Sequence, residues 1–184
     1  MRLDRIKWNA KYRRDCRPAD AAGVVKKFYH LAPGKKALDI AAGNGRNAIY
    51  LAGKGFSVDA VDISEIGLAE FASRHPEINA VCADLDQFEI AAARYDLIVN
   101  VKFLNRRLFP YIQEGLKAGG IVIFQTLLES QKVESKPGHC RDYLLRKNEL
   151  LHAFLGLRIL YYREAQGAET NHHEALATLV GVKS

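Results

Sequence analysis

Residues 36–48, KALDIAAGNGRNA, run an apolar strand into a helix through a glycine-rich turn. Few folds use such a junction. The strand must be buried, the helix must pack back on it, and the glycines must let backbone come close to something at the turn. The pattern then repeats along the chain. A helix over 46–54, with Ala48, Ile49, Leu51 and Ala52 on its inner side, stops at Gly53 and Gly55. The β-branched run 57–63 is a second strand, and Ser64 is placed to cap a helix over 65–74. Further strands are expected at 79–84, 95–103 and 121–128. Between the last two, Leu104, Leu108, Ile112 and Leu116 recur at helical spacing. Pro110 is expected as the first residue of the true helix, with 104–109 forming a turn before it, and Gly119 and Gly120 as its end.

Strand–helix alternation of this kind predicts a parallel sheet with helices on both faces and right-handed crossovers. The last third breaks the rhythm. A helix over 148–157, with Asn148 as its cap, precedes strands at 158–165 and 174–182. The stretch 166–173 between those strands is too short for a crossover helix. They are therefore expected to pair antiparallel, as a hairpin at the sheet edge. The expectation is one α/β domain over residues 1–184 with a seven-stranded, mostly parallel sheet. Its size, 184 residues of which 48% are apolar, suits a single core.

Gly43, Gly45 and Ala48 fit G-x-G-x-x-A, and Asp62 lies about twenty residues on, at the end of the second strand. A dinucleotide cofactor satisfies that pattern. Three features point elsewhere. Asp39 stands four residues before the first glycine, where a carboxylate repels a pyrophosphate. Asp84 adds another acid at the end of the third strand. The hairpin, finally, leaves no room for a separate catalytic domain, which a nicotinamide dehydrogenase usually has. In a doubly wound sheet the first three strands end side by side. Asp39, Asp62 and Asp84 then line one crevice, suited to a cationic, adenosine-bearing ligand such as S-adenosylmethionine (SAM). Arg46, opening the first helix, is placed to meet that ligand's carboxylate.

The stretch LDIAAGNGRNAIYLAGKGFSVDAVDIS (38–64) resembles the glycine motif and acidic second-strand end of class I SAM-dependent methyltransferases. With WNAKYRRD, ADLDQF, LNRRLFPYIQEGLKAGGIVIFQT and DYLLRKNELLHAFLGLRILYYREA, the chain is similar to their small tellurite-resistance (TehB-like) group. The resemblance implies a Rossmann-like methyltransferase fold, SAM as cofactor with S-adenosylhomocysteine as product, and residues 1–30 as a helical lid. It also implies roles. Gly43 and Gly45 pass backbone close to the methionine part of SAM. Asp62 binds the ribose hydroxyls and Ile63 packs on the adenine. Asp84 takes the adenine amino group, with Leu85 beside it. Asn100 and Val101 face the methionine and the reacting methyl, and Tyr12 closes over the cofactor, with Trp8 beside it. Ala41 and Ala42 depart from the family pattern, which often has Gly and then Cys or Ser there.

The acceptor side is expected in the long aperiodic stretch 129–147, where His139, Arg141 and Tyr143 cluster. His139 suits a general base and Arg141 an anionic acceptor. Lys102 and Arg106 are expected to make the pocket mouth positive. A soft anionic acceptor, such as a thiolate or a selenium or tellurium species, needs little or no base. Composition narrows the rest. Cys16, Cys82 and Cys140 have no metal spacing, and adjacent His172 and His173 point to opposite sides of a strand, so no metal is expected. Cys82 is expected to be buried in its strand. No apolar run reaches the roughly 18 residues of a membrane span. A cytoplasmic protein acting on a small molecule is the direct expectation. The net charge of +6, concentrated in the first seventeen residues, keeps open an RNA or protein acceptor, though no RNA-recognition motif is present. A SAM-binding protein without transferase activity is the third reading.

Overall fold

The computed structural model describes residues 2–15, 20–129, 143–165 and 174–184. Seven strands form one sheet: β1 (Lys36–Ile40), β2 (Ser57–Asp62), β3 (Ile78–Cys82), β4 (Tyr95–Val101), β5 (Leu116–Leu127), β6 (Arg158–Ala165) and β7 (Leu176–Val182). Their order is β3-β2-β1-β4-β5-β7-β6. The first five strands pair parallel, while β7 runs antiparallel to both β5 and β6. The expected edge hairpin is therefore present, with β6 outermost.

Among the described residues six α-helices flank the sheet: α1 (Arg2–Arg14), α2 (Gly23–Phe28), α3 (Arg46–Ala52), α4 (Glu65–Ala72), α5 (Leu108–Gly115) and α6 (Glu149–Ala153). The alternation of apolar side chains along each strand divides the core in two. Ala37, Val58, Val99 and Ile123 face α2, α3 and α4, where Val25, Leu51 and Phe71 pack. Leu38, Ile98 and Phe124 face α5 and α6, where Ile112 and Leu150 pack. On that second face Phe109, Phe124 and Phe154 form a cluster of edge and tilted contacts with centroids 5.5–5.7 Å apart. Such pairs add about 0.5–1.5 kcal/mol each beyond the area they bury.

Ser64 caps α4 as expected, its hydroxyl accepting the Gly67 amide at 3.1 Å. In α3 the buried positions are Asn47, Ala48, Leu51 and Ala52, with Ile49 only half-buried. Helix α5 starts at Leu108, two residues before the expected start, because Pro110 is tolerated at its third position, where the missing N–H has no partner to lose.

Three further expectations are corrected. First, α5 ends at Gly115, because Leu116 already pairs with Tyr95 across β4. Gly119 and Gly120 belong to β5 and exchange backbone hydrogen bonds with Lys183. Second, Asn148 does not cap α6 through its side chain. It sits at φ +61°, outside the extended geometry a capping side chain needs, and its carbonyl accepts from His152. Third, Cys82 is exposed, since it ends β3, an edge strand paired on one side only.

Candidate functional site

The chain leaves β1 toward β2 on one side and returns to β4 on the other. A crevice opens outside the carboxyl ends of strands at such a reversal. Its floor is the turn from Ala41 to Gly45, which holds three positive φ angles: Ala41 (54°), Gly43 (61°) and Gly45 (82°). Ala41 bears a side chain in a conformation that favours glycine, at a cost of roughly 1–2 kcal/mol.

Asp39 is fully buried in β1 behind the turn. The Ala48 amide and the Asn47 side chain bond its carboxylate. Its second oxygen, Oδ2, is buried with no hydrogen-bond partner. Burial pushes the carboxyl up to about 7, against the pull of the Arg46 charge. A buried polar atom without a partner is costly, so this oxygen marks a place for a cationic or donor group. Asp62, at the end of β2, accepts the Gly43 amide and the Ser64 amide, both at 2.8 Å. Its carboxyl is also raised, by burial first, with backbone donors and the Lys11 charge opposing. The two acids thus sit on adjacent strands, β1 and β2, beside one turn.

Asp84 lies two residues past β3 and uses Oδ1 to accept the Asp86 amide at 3.0 Å, holding the turn that follows. Ile63 is half-buried and its carbonyl accepts a long bond from Cys82 Sγ, 3.7 Å. Leu85 is buried in the α5-side core. On β4, Asn100 is buried and donates to the Phe103 carbonyl at 2.8 Å, while Val101 packs in the α3-side core.

Helix α1 covers the crevice from above. Tyr12 lies on Gly43: a Cβ placed there would meet Tyr12 Oη at 2.3 Å. Burial, followed by the Asp62 charge, pushes the Tyr12 phenol up to about 12, so it stays protonated. Trp8 stacks on Tyr12, with centroids 6.1 Å apart and planes 24° apart. Lys11 Nζ lies 4.4 Å from the Trp8 ring. The Lys11 ammonium is pulled below its usual range by partial desolvation and then by the charges of Lys102, Arg46 and Lys7. The crevice mouth is thus cationic around an acidic floor.

Two contacts were not legible in the sequence. Asn9 is buried between α1 and α4. Its Oδ1 accepts the Ser64 hydroxyl at 2.7 Å and its Nδ2 donates to Glu65 at 3.3 Å. Asn47 accepts the Ala22 amide at 3.0 Å while bonding Asp39, so it ties the entry of α2 to the crevice floor. Both are polar residues within helices. Only a tertiary partner explains such a residue once buried, and neither partner is near in sequence.

The acceptor side divides differently from expectation. His139, Arg141, His172, His173, Cys16 and Cys140 lie outside the described residues. Tyr143 is 53% exposed, next to Leu144 and Leu145 beyond the end of β5. Arg106 does not add free charge to the mouth: it forks onto Glu149, at 3.0 Å for Nη2, and also donates to the Leu144 carbonyl. Lys102 pairs with Glu174 at 2.8 Å. Among the described residues no group of three or more His, Cys, Asp or Glu is arranged to hold a metal, and no helix is long and apolar enough to cross a membrane.

Comparison with known proteins locates this geometry. The family described as "Methyltransferase domain" matches residues 37–120. The tRNA (uracil(54)-C(5))-methyltransferase of Pyrococcus abyssi is 42% identical over 74 residues, covering 40% of this chain and 17% of that protein. The probable S-adenosyl-L-methionine-dependent methyltransferase TehB of Haemophilus influenzae is 29% identical over 143 residues, covering 72% of this chain and 49% of that protein. The crystal structure of TehB from Haemophilus influenzae superposes with a TM-score of 0.74 at 22% identity, over 97% of this chain and 67% of that one. The chain spans less than half the length of these curated relatives. The matched segment runs from β1 to Gly120 and so includes the whole glycine turn, Asp39, Asp62 and the end of β4. Residues 37–120 thus match a methyltransferase domain, and the chain as a whole has the fold of the Haemophilus influenzae TehB structure.

Proposed function

We propose that this protein transfers a methyl group from SAM to a small, soft or anionic acceptor, with α1 serving as a lid over the cofactor. One observation carries the cofactor side: buried Asp39 Oδ2 lacks a partner beside a glycine turn whose next strand ends in Asp62. The cationic amino group of SAM supplies a partner for Asp39, directly or through water. Asp62 takes the ribose hydroxyls, Ile63 and Leu85 flank the adenine, and Asp84 receives its amino group. Gly43 and Gly45 admit the methionine, which Asn100 and Val101 face. Tyr12 and Trp8 close above.

The transfer is an in-line displacement. The acceptor's lone pair forms the new bond to the methyl carbon, the carbon–sulfur bond breaks, and its electron pair stays on sulfur. S-adenosylhomocysteine leaves neutral at sulfur. A thiolate acceptor becomes a thioether with no proton to move, so positioning and exclusion of water supply most of the catalysis. His139, Arg141 and Tyr143 remain the proposed acceptor-side residues. The cations Lys11 and Arg46 at the mouth support an anionic acceptor, since a charged rim raises the local concentration of its counter-charge. Incubation with SAM and a panel of thiol, selenite and tellurite acceptors tests the reading. Production of S-adenosylhomocysteine that depends on acceptor supports it. Tight SAM binding without turnover on any of them favours a binding protein instead.

A second reading has one specific support: exposed Arg5, Lys7, Arg13 and Arg14 on α1, together with the relative named as a tRNA methyltransferase. It predicts RNA binding that weakens steeply with salt. RNA binding absent at low salt removes it.

A further inference from the structure

Helix α1 has a second face that its crevice contacts leave open. Its inner side carries Asn9, which bonds Ser64 and Glu65, and Tyr12, which lies on Gly43. At about 3.6 residues per turn, Leu3, Ile6 and Ala10 fall on the outward side, at i, i+3 and i+7. Leu3 is 80% exposed and Ile6 56%, so most of each side chain meets solvent. One exposed leucine is ordinary, whereas two large aliphatic side chains on one turn of one face make a small apolar stripe.

Cations border this stripe. Lys7 follows Leu3 by four residues and Arg14 follows Ala10 by four, so each continues the outward rows. Arg13 lies two turns beyond Ile6. All three are exposed, as is Arg5. The helix carries six Lys and Arg against one acid, Asp4.

Stripe and border together select a partner. A second copy of the chain would bring the same cations against these and be repelled. A polyanion such as RNA meets the cations and leaves Leu3 and Ile6 in water. An anionic bilayer surface answers both, since its headgroups attract Lys and Arg and the boundary beneath them takes apolar side chains. The long stems of Lys7, Arg13 and Arg14 let their charges stay among the headgroups. Two aliphatic side chains are too few to hold a protein on a neutral bilayer. Cations alone give an attraction that salt screens. Reversible docking needs both signals at once. Among the described residues no helix is long and apolar enough to cross a membrane, so the contact is with the surface.

We propose that the outer face of α1 docks on an anionic lipid surface. Leu3 and Ile6 enter the headgroup boundary, and Lys7, Arg13 and Arg14 meet the headgroups. The inner face keeps its bonds to Ser64 and Glu65, so docking is compatible with closure over the crevice.

Flotation of the full chain with lipid vesicles tests it. One set is phosphatidylcholine alone, and the other mixes phosphatidylcholine equally with phosphatidylglycerol. The chain is expected to bind the mixed vesicles at least about tenfold more tightly, and added salt to weaken that binding. Leu3→Gln with Ile6→Gln is expected to weaken it at least about tenfold. The circular dichroism spectrum and urea midpoint of that variant should match wild type, because both side chains are exposed. Lys7→Gln with Arg14→Gln is expected to remove the preference for mixed vesicles. Equal binding to both vesicles, or binding to neither, overturns the proposal. Undiminished binding by the folded Leu3→Gln, Ile6→Gln variant also overturns it, and leaves the cations to a polyanion such as RNA.

Discussion

Gly43→Ala puts the closed arrangement of α1 to a quantitative test. Two separate effects follow from the structure. The backbone at Gly43 has φ +61°, where an alanine costs roughly 1–2 kcal/mol. Alanine also restricts the unfolded chain, which returns roughly 0.4–1 kcal/mol, so the backbone effect alone is a net loss of about 1 kcal/mol. The second effect is steric. The new Cβ would stand 2.3 Å from Tyr12 Oη and 3.1 Å from Cζ, so the ring must leave. Tyr12 is one helical turn from Asn9, and moving it strains the bonds from Asn9 to Ser64 and Glu65. At about 1 kcal/mol each, their loss releases α1 while the sheet stays folded. Trp8, the single tryptophan, lies on α1 and reports this directly. The variant is expected to show red-shifted Trp8 emission without denaturant, a native far-ultraviolet circular dichroism spectrum, and SAM affinity at least about tenfold weaker, or 1.4 kcal/mol. Gly55→Ala is the control, because Gly55 has φ +82° with nothing within 4 Å of a Cβ added there. It should lose stability of the same order and leave Trp8 emission and SAM binding unchanged. Wild-type Trp8 emission and SAM affinity in Gly43→Ala would mean that α1 does not close on Gly43 through Tyr12.

Other residues give independent tests. Ala41→Gly relieves the φ of +54° and is expected to raise the urea midpoint, by about 0.5–1 kcal/mol once the looser unfolded chain is counted. Asn9→Ala removes the α1–α4 bonds and should increase proteolysis within α1 while leaving the core transition in place. Asp39 is raised to about 7 from an unfolded value of 3.8, so the native state binds the extra proton between those values. Stability of the ligand-free protein is therefore full below about pH 4 on this account and falls as pH rises to about 7, with Asp62 contributing in the same direction. Asp39→Asn should flatten that slope in denaturation curves taken across the range.

The sheet was largely legible because its signals are local. Each strand is an apolar run bounded by turn residues, and the short gap after Ala165 forces the antiparallel pairing of β6 with β7. The crevice acids were legible for the same reason, since a position at a strand end is fixed once the strand is. What the sequence hid depends on partners far away in the chain. Asn9 meets Ser64 and Glu65 across more than fifty positions. Arg106 reads as a free cation until Glu149 is seen against it. Cys82 reads as buried from its apolar neighbours, and only the strand order shows that β3 is an edge. The α5 boundary failed similarly: Gly119 and Gly120 look like a helix stop, yet the ladder from Leu116 to Tyr95 claims the chain earlier.

Asp39, Asp62 and the Ala41–Gly45 turn are proposed to form a SAM site. Calorimetric titration of the wild-type chain and of Asp62→Ala with SAM and with S-adenosylhomocysteine measures it most directly. Wild-type dissociation constants of about 100 μM or below are expected, equivalent to about −5.5 kcal/mol or better, with at least about a tenfold loss in Asp62→Ala. No heat of binding to the wild-type chain at millimolar ligand, or equal affinity in the folded variant, would contradict it.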